Sequence, residues 1–439
     1  MKDFNVAILG CGTVGGGVAQ ILTELNKELE SRASRKINLK KIVELKPSLA
    51  AERFNIPLSL FCGGGKDLSP EEASHYTDEI INSEDIDLVV ETIGGTSDGV
   101  YQIALNTCKA KKHLVTANKA LMAEKGKDIF QAARENDVTI GLEAAVCGAI
   151  PIIKTIRESF SGDKPVSISG IMNGTSNYIL SRMQNEGYSF EEALKLAQEN
   201  GFAEADPSFD INGKDAGHKL VILVKLAFGI DITMDQLKII GVEEITKDDI
   251  DFANEIDCKI KLICYAKKYD GNIYATVRPM MVRQENFLSE VNGATNAVRV
   301  TNKYSGKHIL VGAGAGSHET ASSIVADIVF AAKYAEQEIH PENSCSCDFM
   351  DVLYFHLPYI ITFETTDKPG TTGIVTSAIG RQQINIDTVS HNRHKTDRAT
   401  FSVATMPCTL HQIQEAIQEI KQEKPDLLLS EPKIIPILY

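Results

Sequence analysis

The sequence predicts an α/β protein that opens with a Rossmann dinucleotide-binding unit, continues into an α+β unit and ends in a small ferredoxin-like unit. Three observations support this prediction. A short apolar run at residues 4–9 leads directly into a G-x-G-x-x-G turn and a helical pattern. Alternating strand and helix patterns then continue to about residue 140, which indicates a parallel sheet. Residues 358–439 read in the order βαββαβ, which is typical of a ferredoxin-like sandwich.

Length, charge and cysteine usage exclude several classes of protein. A chain of 439 residues suggests roughly three domains. The net charge of −14 and the pI near 5.3 argue against a nucleic-acid or membrane partner, which would need a basic face. The nine cysteines form no C-x-x-C pair, and Cys345 and Cys347 are too close for a zinc signature. Without a targeting segment or a long apolar run, we expect reduced thiols in a cytoplasmic protein.

The glycine turn at the N-terminus is the predicted cofactor site. Its glycines let the backbone approach a pyrophosphate, and the N-terminus of the following helix, predicted at 18–29, stabilises the negative charge. A coincidental tight turn is the alternative. The second strand, predicted at 37–45, ends near Glu44, which would favour NAD, and near Lys46, which would favour NADP. The cofactor is therefore written NAD(P), and its predicted contacts are Gly10, Gly12, Thr13, Val14 and Gly15.

The remaining elements give approximate domain boundaries. A second glycine-rich stretch ends at Gly316, which we also expect to contact the cofactor, and we expect the following helix to pack back on the nucleotide unit. Further strands are predicted at 88–90, 113–116, 273–282, 359–365, 384–392, 399–405 and 434–438. Further helices are predicted at 100–110, 190–200, 219–228, 320–335, 372–381 and 410–423. The predicted domains are 1–140 completed by 305–340, then 141–304, and 358–439 after a connector at 341–357.

The stretch from Ala197 to Lys219, AQENGFAEADPSFDINGKDAGHK, concentrates carboxylates, turn residues and one lysine. Asp215 and Lys219 are spaced i, i+4 and therefore share a face of a helix. Acidic side chains can hold a substrate ammonium group, and a lysine beside them can move a proton. The alternative interpretation is a solvated acidic loop with a surface ion pair.

This stretch resembles the signature of homoserine dehydrogenases. Glu91–Gly95, Thr116–Ala120 and Gly170–Tyr178 resemble further blocks of that family in the same order. The C-terminal unit, with Asp367-Lys368-Pro369-Gly370 after its first strand, resembles an ACT domain, a regulatory module that binds amino acids. The resemblance implies reversible reduction of L-aspartate 4-semialdehyde to L-homoserine with NAD(P)H, in the synthesis of threonine, methionine and isoleucine.

The resemblance also implies roles for individual residues. Lys219 would donate the proton, and Lys119 would be the second catalytic lysine and a cofactor contact. Two converging lysines would be expected to lower the pKa of the donor. The implied substrate contacts are Gly201, Glu204 and Asp215. We expect Asp206 and Asp210 to shape the loop and His218 to be a packing residue.

A metal site is implied by the resemblance alone. Glu143 and the backbone carbonyls of Val146, Gly148 and Ile150 would hold a cation, and oxygen ligands suit a hard cation such as sodium. From spacing alone, a tight turn between a strand and a helix is the simpler interpretation. Cys147 suggests a thiol nucleophile like that of aspartate-semialdehyde dehydrogenase, but the chain lacks that family's other blocks.

The resemblance further implies a monofunctional enzyme, since the Rossmann strand begins at residue 4. We expect a homodimer or homotetramer with threonine as an effector at the ACT unit. Thr371-Thr372 stands where that family has apolar residues, which leaves the effector open. The alternative function is an amino-acid sensor that binds nucleotide without turnover. The set Lys119, Glu204, Asp215 and Lys219 favours the enzyme.

Overall fold

The computed structural model describes residues 3–335, 347–393 and 398–438. The strands are β1 (Phe4–Leu9), β2 (Ile37–Val43), β3 (Leu88–Glu91), β4 (His113–Thr116), β5 (Ile140–Gly141), β6 (Pro165–Ile171), β7 (Lys238–Ile239), β8 (Cys258–Tyr269), β9 (Asn272–Arg283), β10 (Thr295–Asn302), β11 (Gly306–Ala313), β12 (Tyr359–Thr366), β13 (Ile386–Arg393), β14 (Arg398–Thr405) and β15 (Lys433–Leu438).

The helices are α1 (Thr13–Glu24), α2 (Asn26–Ala33), α3 (Pro47–Phe54), α4 (Pro70–Asn82), α5 (Asp98–Lys109), α6 (Lys119–Glu135), α7 (Ile152–Lys154), α8 (Gly174–Glu186), α9 (Phe190–Glu199), α10 (Ser208–Ile211), α11 (Lys214–Phe228), α12 (Lys247–Glu255), α13 (Ser317–Tyr334), α14 (Thr371–Arg381) and α15 (Leu410–Glu423). The prediction of one helix over 18–29 is wrong, because the backbone at Leu25 (φ −102°, ψ 19°) leaves helical geometry between α1 and α2. Cys345 and the first part of the predicted connector lie outside the described residues.

The first sheet is parallel, with strand order β2-β1-β3-β4-β5. Every residue of β1 is buried, as expected for a strand covered by helices on both faces. The strand order reverses between β1 and β3, and ligands of such sheets bind outside the carboxyl ends of the strands at this point. The prediction of a Rossmann-type opening is confirmed, and its glycine turn lies at that edge.

The glycine turn depends on two positions that exclude a side chain. Gly10 has φ +88°, and a Cβ at Gly15 would lie 2.0 Å from the Gly10 carbonyl oxygen. Gly12, at the N-cap of α1, is different, because a Cβ there would meet nothing within 4 Å. The turn is therefore closed against the sheet and open on its outer side.

Helix α13 packs against α1, as the sequence predicts for the helix after Gly316. Ala321, Ile324 and Ile328 of α13 are buried in one core with Val18 of α1. The Ser317 hydroxyl donates a hydrogen bond to the Thr13 carbonyl (2.6 Å). A segment distant in sequence thus completes the nucleotide unit.

The second sheet runs through the middle and C-terminal parts of the chain. Its strand order is β11-β10-β6-β8-β9-β15-β12-β14-β13, with β7 paired to β9. Strands β12 to β15 with α14 and α15 follow the predicted order βαββαβ. No helix in the described ranges is long and apolar enough to cross a membrane, and every cysteine within those ranges is a free thiol.

The C-terminal unit is joined to the middle unit rather than separate from it. Strand β15 pairs in parallel with β9, with Leu438 opposite Val282. The Arg278 guanidinium donates to the Ile434 carbonyl (3.1 Å). The rings of Tyr274 and Phe355 stack at 4.0 Å in a core that includes residues of both units. The sequence predicts a separate small unit after a connector, and it does not reveal this contact because a pairing between such distant strands leaves no local pattern.

Candidate active site

The signature stretch folds into a turn that opens into α11. Gly213 precedes the helix with φ +83°, a left-handed conformation that glycine adopts without strain. Asp215 lies in the first turn, where the helix dipole favours a negative charge. Lys219 follows one turn later on the same face. The local sequence therefore places a carboxylate and an ammonium group together at the buried start of this helix.

Asp215 bridges the two lysines that the sequence singles out. The Lys219 ammonium donates to Asp215 Oδ2 (2.7 Å) and to the Met172 carbonyl (2.6 Å). Lys119 Nζ lies 3.0 Å from Asp215 Oδ1. Asp215 and Lys219 are only 4% and 7% exposed, so the ion pair between them is largely shielded from water and is stronger than a surface ion pair.

The charges in this network are stabilised in their ionised forms. Burial opposes the charge on Asp215, but Lys219 and Lys119 hold the pKa of the carboxyl well below its usual range. Burial likewise opposes the charge on Lys219, but Asp215 raises the pKa of this ammonium above its usual value. The expectation of a lowered pKa is wrong, because a carboxylate lies between the two lysines.

Three motif residues position Lys119. The buried Glu91 carboxylate accepts hydrogen bonds from the Ile93 and Gly94 amides (2.9 and 3.0 Å) and from the Thr116 hydroxyl (2.6 Å). Asn118 caps α6, accepting from the Leu121 amide, and its Nδ2 donates to the Gly95 carbonyl (2.7 Å). These bonds tie together the carboxyl ends of β3 and β4. Lys119, in the first turn of α6, is thereby directed at Asp215.

Asn173 also holds the Asp215 carboxylate in place, a role that the sequence analysis did not assign to it. Its Nδ2 donates to Asp215 Oδ2 (2.8 Å) and to Asp210 Oδ1 (2.7 Å). Its Oδ1 caps α8 by accepting from the Ser176 amide. Asp210 also accepts from the Thr175 hydroxyl (3.3 Å), in agreement with its predicted structural role. The sequence could have indicated that Asn173 caps α8, because asparagine is a favoured N-cap residue. It could not have indicated the contact with Asp215, which lies 42 residues away.

The predicted substrate contacts Gly201 and Glu204 are not part of this network. Both are exposed, on the turn before α10, and no contact among the described residues joins them to Asp215 or Lys219. His218 is buried, with its ring 5.3 Å from that of Phe209 and Nε2 3.5 Å from Glu124 Oε1. This environment agrees with a packing role for His218.

The predicted cation loop lies near the network, since the charges of Lys219 and Asp215 act on Cys147 within it. Glu143 is buried, and its two oxygens accept from the Ile153 and Lys154 amides (2.8 and 2.9 Å). Burial, with Asp327 nearby, raises the pKa of Glu143 to about 7. The Gly148 carbonyl accepts from the Ser323 hydroxyl (2.7 Å) and the Ile150 carbonyl from the Ile152 amide (2.7 Å). The described residues contain no cluster of three or more His, Cys, Asp or Glu side chains suited to a metal.

Cys147, in the same loop, is unsuited to act as a nucleophile. The residue is fully buried and has φ +56°. Burial raises the pKa of its thiol, although Lys219 opposes this shift. Because the thiolate is the reactive form, these surroundings disfavour the thiol mechanism.

The predicted cofactor contacts line the open side of the first sheet. Glu44 follows β2, and its carboxylate accepts from the Cys11 amide (2.7 Å) and the Lys46 amide (3.1 Å). Gly316 is the N-cap of α13 with φ +140°, and a Cβ there would lie 2.1 Å from the Glu319 carboxylate. Two helix N-termini, of α1 and α13, therefore meet at this edge, an arrangement suited to phosphate groups.

Comparison with known proteins gives a consistent result over most of the chain. Residues 10–143 match the family model described as homoserine dehydrogenase, NAD binding domain, and residues 151–329 match the model described as homoserine dehydrogenase. The homoserine dehydrogenase of Neisseria gonorrhoeae is 36% identical over 397 residues, which are 88% of each chain. That of Helicobacter pylori is 34% identical over 436 residues, which are 99% of each chain.

Solved structures agree with these relatives. A homoserine dehydrogenase from Thiobacillus denitrificans has a TM-score of 0.89 at 32% identity and covers 100% of this chain and 99% of its own. A hyperthermophilic archaeal homoserine dehydrogenase, solved in complex with NADPH, shares the fold with a TM-score of 0.62 at 24% identity, over 78% of this chain and all of its own.

Proposed function

This chain belongs to the homoserine dehydrogenase family and is an NAD(P)-dependent oxidoreductase, and we propose that it reversibly reduces L-aspartate 4-semialdehyde to L-homoserine. The observation that carries this proposal is the buried network in which Asp215 bridges Lys119 and Lys219. The network provides an ammonium group that is held, protonated and shielded from water. The reaction requires such a group where negative charge develops on the aldehyde oxygen.

Lys219 and Lys119 have different roles in the proposed reduction. When bound, the nicotinamide supplies the hydride that the aldehyde carbon accepts. The Lys219 ammonium stabilises the oxygen as it gains charge and transfers a proton to it, which gives the alcohol and a neutral lysine. Asp215 keeps Lys219 charged and oriented before this step. Lys119 adds a second positive charge on the nucleotide side of the network.

The substrate contacts are proposed on the same turn. Glu204 has an exposed side chain whose carboxylate could pair with the substrate ammonium group, while Gly201, with φ +75°, offers a backbone contact. Asp215 would contribute through the oxygen nearer to Lys119. Held between these groups, the substrate would present its aldehyde to Lys219.

The nucleotide is proposed to bind along the glycine turn. Gly10, Gly12, Thr13, Val14 and Gly15 would cradle its phosphates at the N-terminus of α1, with Gly316 opposite at the N-terminus of α13. Glu44 lies where the adenosine ribose is held in such folds. Lys119 would contact the nicotinamide end.

A structural sodium ion is proposed in the loop of Glu143. The donors are all oxygens, from the Glu143 carboxylate and the carbonyls of Val146, Gly148 and Ile150, as a hard cation prefers. Each carboxylate oxygen accepts one amide hydrogen bond and keeps a lone pair for a cation. Such an ion would offset the burial of the Glu143 charge and stiffen the loop below Lys219.

We propose that the C-terminal unit is an ACT domain that binds threonine as an effector. Its strand order β15-β12-β14-β13, with two helices, supports this assignment. Its direct pairing with β9 offers a route by which effector binding would reach the middle unit. We further propose a cytoplasmic homodimer or homotetramer that serves threonine, methionine and isoleucine synthesis.

The decisive assay follows NADPH and NADH oxidation in the presence of L-aspartate 4-semialdehyde. Turnover with either nucleotide and formation of homoserine would support the proposed function. Binding of nucleotide and amino acid without oxidation of either cofactor would instead identify a sensor.

A further inference from the structure

A cavity of about 290 Å³ lies between α6, β5, α7, α11, α13 and the π-helical turn Thr155–Ser159. None of the residues proposed above for chemistry, substrate, sodium or nucleotide lines it. Its volume is just below the range of roughly 300–1,000 Å³ that is typical of pockets for drug-sized ligands. The cavity therefore suits a small molecule at a place outside the proposed reaction site.

Part of the cavity lining is apolar. Two phenylalanines, one from α6 and one from α13, face aliphatic side chains from β5 and α11, and the residues that form this wall are Phe130, Ile140, Leu142, Leu226 and Phe330. Most of these side chains belong to or pack against the large core that extends into the middle unit. A hydrocarbon group would be shielded from water against such a wall.

The cavity is also lined by four basic side chains, Arg134, Lys154, Arg157 and Lys225, and the Lys154 ammonium lies 5.9 Å from the centre of the Phe330 ring. Lys154 is paired with Asp327 (3.0 Å) and Lys225 with Asp231 (2.5 Å). Arg157 donates to the Ile140 carbonyl (3.3 Å). Arg134 is half-buried near the end of α6, and its guanidinium has no hydrogen-bond or ion-pair partner among residues 3–335, 347–393 and 398–438. The acidic residues Asp327 and Glu158 also line the cavity, and Glu158 is exposed.

We propose that this cavity binds a small amphipathic carboxylate. Its hydrocarbon part would lie against Phe130, Leu226 and Phe330, and its carboxylate would take the guanidinium of Arg134, with Arg157 beside it. Arginine suits this role because its planar fork binds a carboxylate with two parallel hydrogen bonds. A cationic ligand of the same shape should bind more weakly, because it would be repelled by four basic side chains, Arg134, Lys154, Arg157 and Lys225.

The cavity is connected to the active site by direct contacts. Asp327, which binds Lys154, also accepts from the Glu143 amide (2.9 Å). Gly141 permits this approach, since a Cβ there would lie 2.6 Å from Asp327. Leu226 lies on α11, whose first turns carry Asp215 and Lys219. A ligand in the cavity would thus contact the helix that carries the proton donor and would lie next to Asp327, which bonds the Glu143 loop.

The test uses the full-length protein and hexanoate as the probe, with hexylamine as a control of the same tail and opposite charge. Binding is measured by calorimetry, with and without saturating homoserine and NADP. We expect hexanoate to bind in both conditions, more tightly than hexylamine. Arg134→Gln should weaken hexanoate binding about tenfold, close to 1.4 kcal/mol, while Arg182→Gln, on α8 outside the cavity, should leave it unchanged.

A second variant fills the cavity. Leu226→Trp should abolish hexanoate binding, and its Tm is measured alongside to show that the chain is folded. The proposal is overturned if hexylamine binds as well as hexanoate, if homoserine displaces the probe, or if wild type shows no binding up to about 10 mM. The proposal is also overturned if Arg134→Gln and Leu226→Trp are folded and bind hexanoate as tightly as wild type does. Because binding is read without turnover, these outcomes are independent of the proposed reaction.

Discussion

Asp215 and Lys219 form an ion pair of 2.7 Å, one turn apart at the start of α11, and both are almost completely buried. The carboxylate also holds Lys119 at 3.0 Å on its other oxygen. A buried charge is costly unless it is paired, so each member of the network depends on the others. The carboxylate keeps the proton donor charged at a site where burial alone would favour its neutral form.

Asp215→Asn should therefore change the pH dependence of catalysis. The amide keeps the shape and a contact for Asn173, but it no longer raises the pKa of Lys219, whose burial then lowers it. Reduction needs the protonated lysine, so the alkaline limit of kcat should move to lower pH, with kcat falling at least ~10-fold at neutral pH. A pH profile of kcat checks this. An unchanged alkaline limit would show that Asp215 does not control the donor.

Glu44→Gln should shift the cofactor preference towards NADPH. The Glu44 carboxylate, 2.7 Å from the Cys11 amide nitrogen, would repel a 2′-phosphate, while Lys46 would attract it. We expect wild type to discriminate between NADH and NADPH by less than ~1,000-fold in kcat/KM, or about 4 kcal/mol. The variant should shift the ratio about tenfold towards NADPH. A ratio that is the same in both proteins would point to another determinant.

The C-terminal unit should contribute to the stability of the middle unit. If the unit that follows the predicted connector at 341–357 were structurally independent, truncation after about residue 340 would leave the stability of the rest of the chain unchanged. The pairing of β15 with β9 and the stacking of Tyr274 on Phe355 instead lead us to expect that truncation lowers the Tm by at least ~5 °C. Leu438→Asp, at the shared edge, should have the same direction of effect, while Leu429→Asp, 41% exposed, should have little. Equal Tm values for the truncated and complete chains would show that the C-terminal unit does not stabilise the middle unit.

Lys261 should make stability depend on pH. It is buried against neutral acceptors, the Val291 carbonyl (2.7 Å) and the side-chain oxygens of Asn292 (3.2 Å) and Asn177 (3.3 Å). Burial, with Lys259 nearby, lowers the pKa of Lys261 to about 7 from an ordinary value of 10.5. Between these values the unfolded chain binds the proton and the folded chain does not, so rising pH favours folding.

Denaturant unfolding of wild type and Lys261→Met measures this effect. The free energy of unfolding of wild type relative to the variant should rise from about pH 7 towards pH 10, by at most about 1.4 kcal/mol per pH unit. Lys267→Met, on the same strand, is the matched control and should run parallel to wild type. A difference between wild type and Lys261→Met that does not vary with pH would mean that Lys261 stays charged when buried.

The parts of this site that the sequence predicts are those encoded locally. The i, i+4 spacing of Asp215 and Lys219 and the glycines at positions 10 and 15 act within one turn of chain, so their patterns are visible in the sequence. Strand β4 is found at its predicted residues, 113–116, for the same reason.

The parts that could not be predicted depend on tertiary contacts. Lys119 meets Asp215 because α6 packs against α11, and Asn173 reaches Asp215 across 42 residues. The pKa of Lys219 is raised because the Asp215 carboxylate lies next to its ammonium group. The sequence does not show whether this carboxylate or Lys119 lies nearer to Lys219, so it could not predict the direction of the shift.

The most direct test of the proposed role of Lys219 is the kcat of Lys219→Ala, measured with NADPH and L-aspartate 4-semialdehyde beside Lys214→Ala, an exposed lysine on the same helix. Because Lys219 meets charge that develops in the transition state, we predict loss of nearly all turnover in Lys219→Ala with little change in NADPH affinity, and wild-type turnover in Lys214→Ala. Retention of more than about a tenth of the wild-type kcat, a loss below ~1.4 kcal/mol, would contradict the assignment of Lys219 as the proton donor.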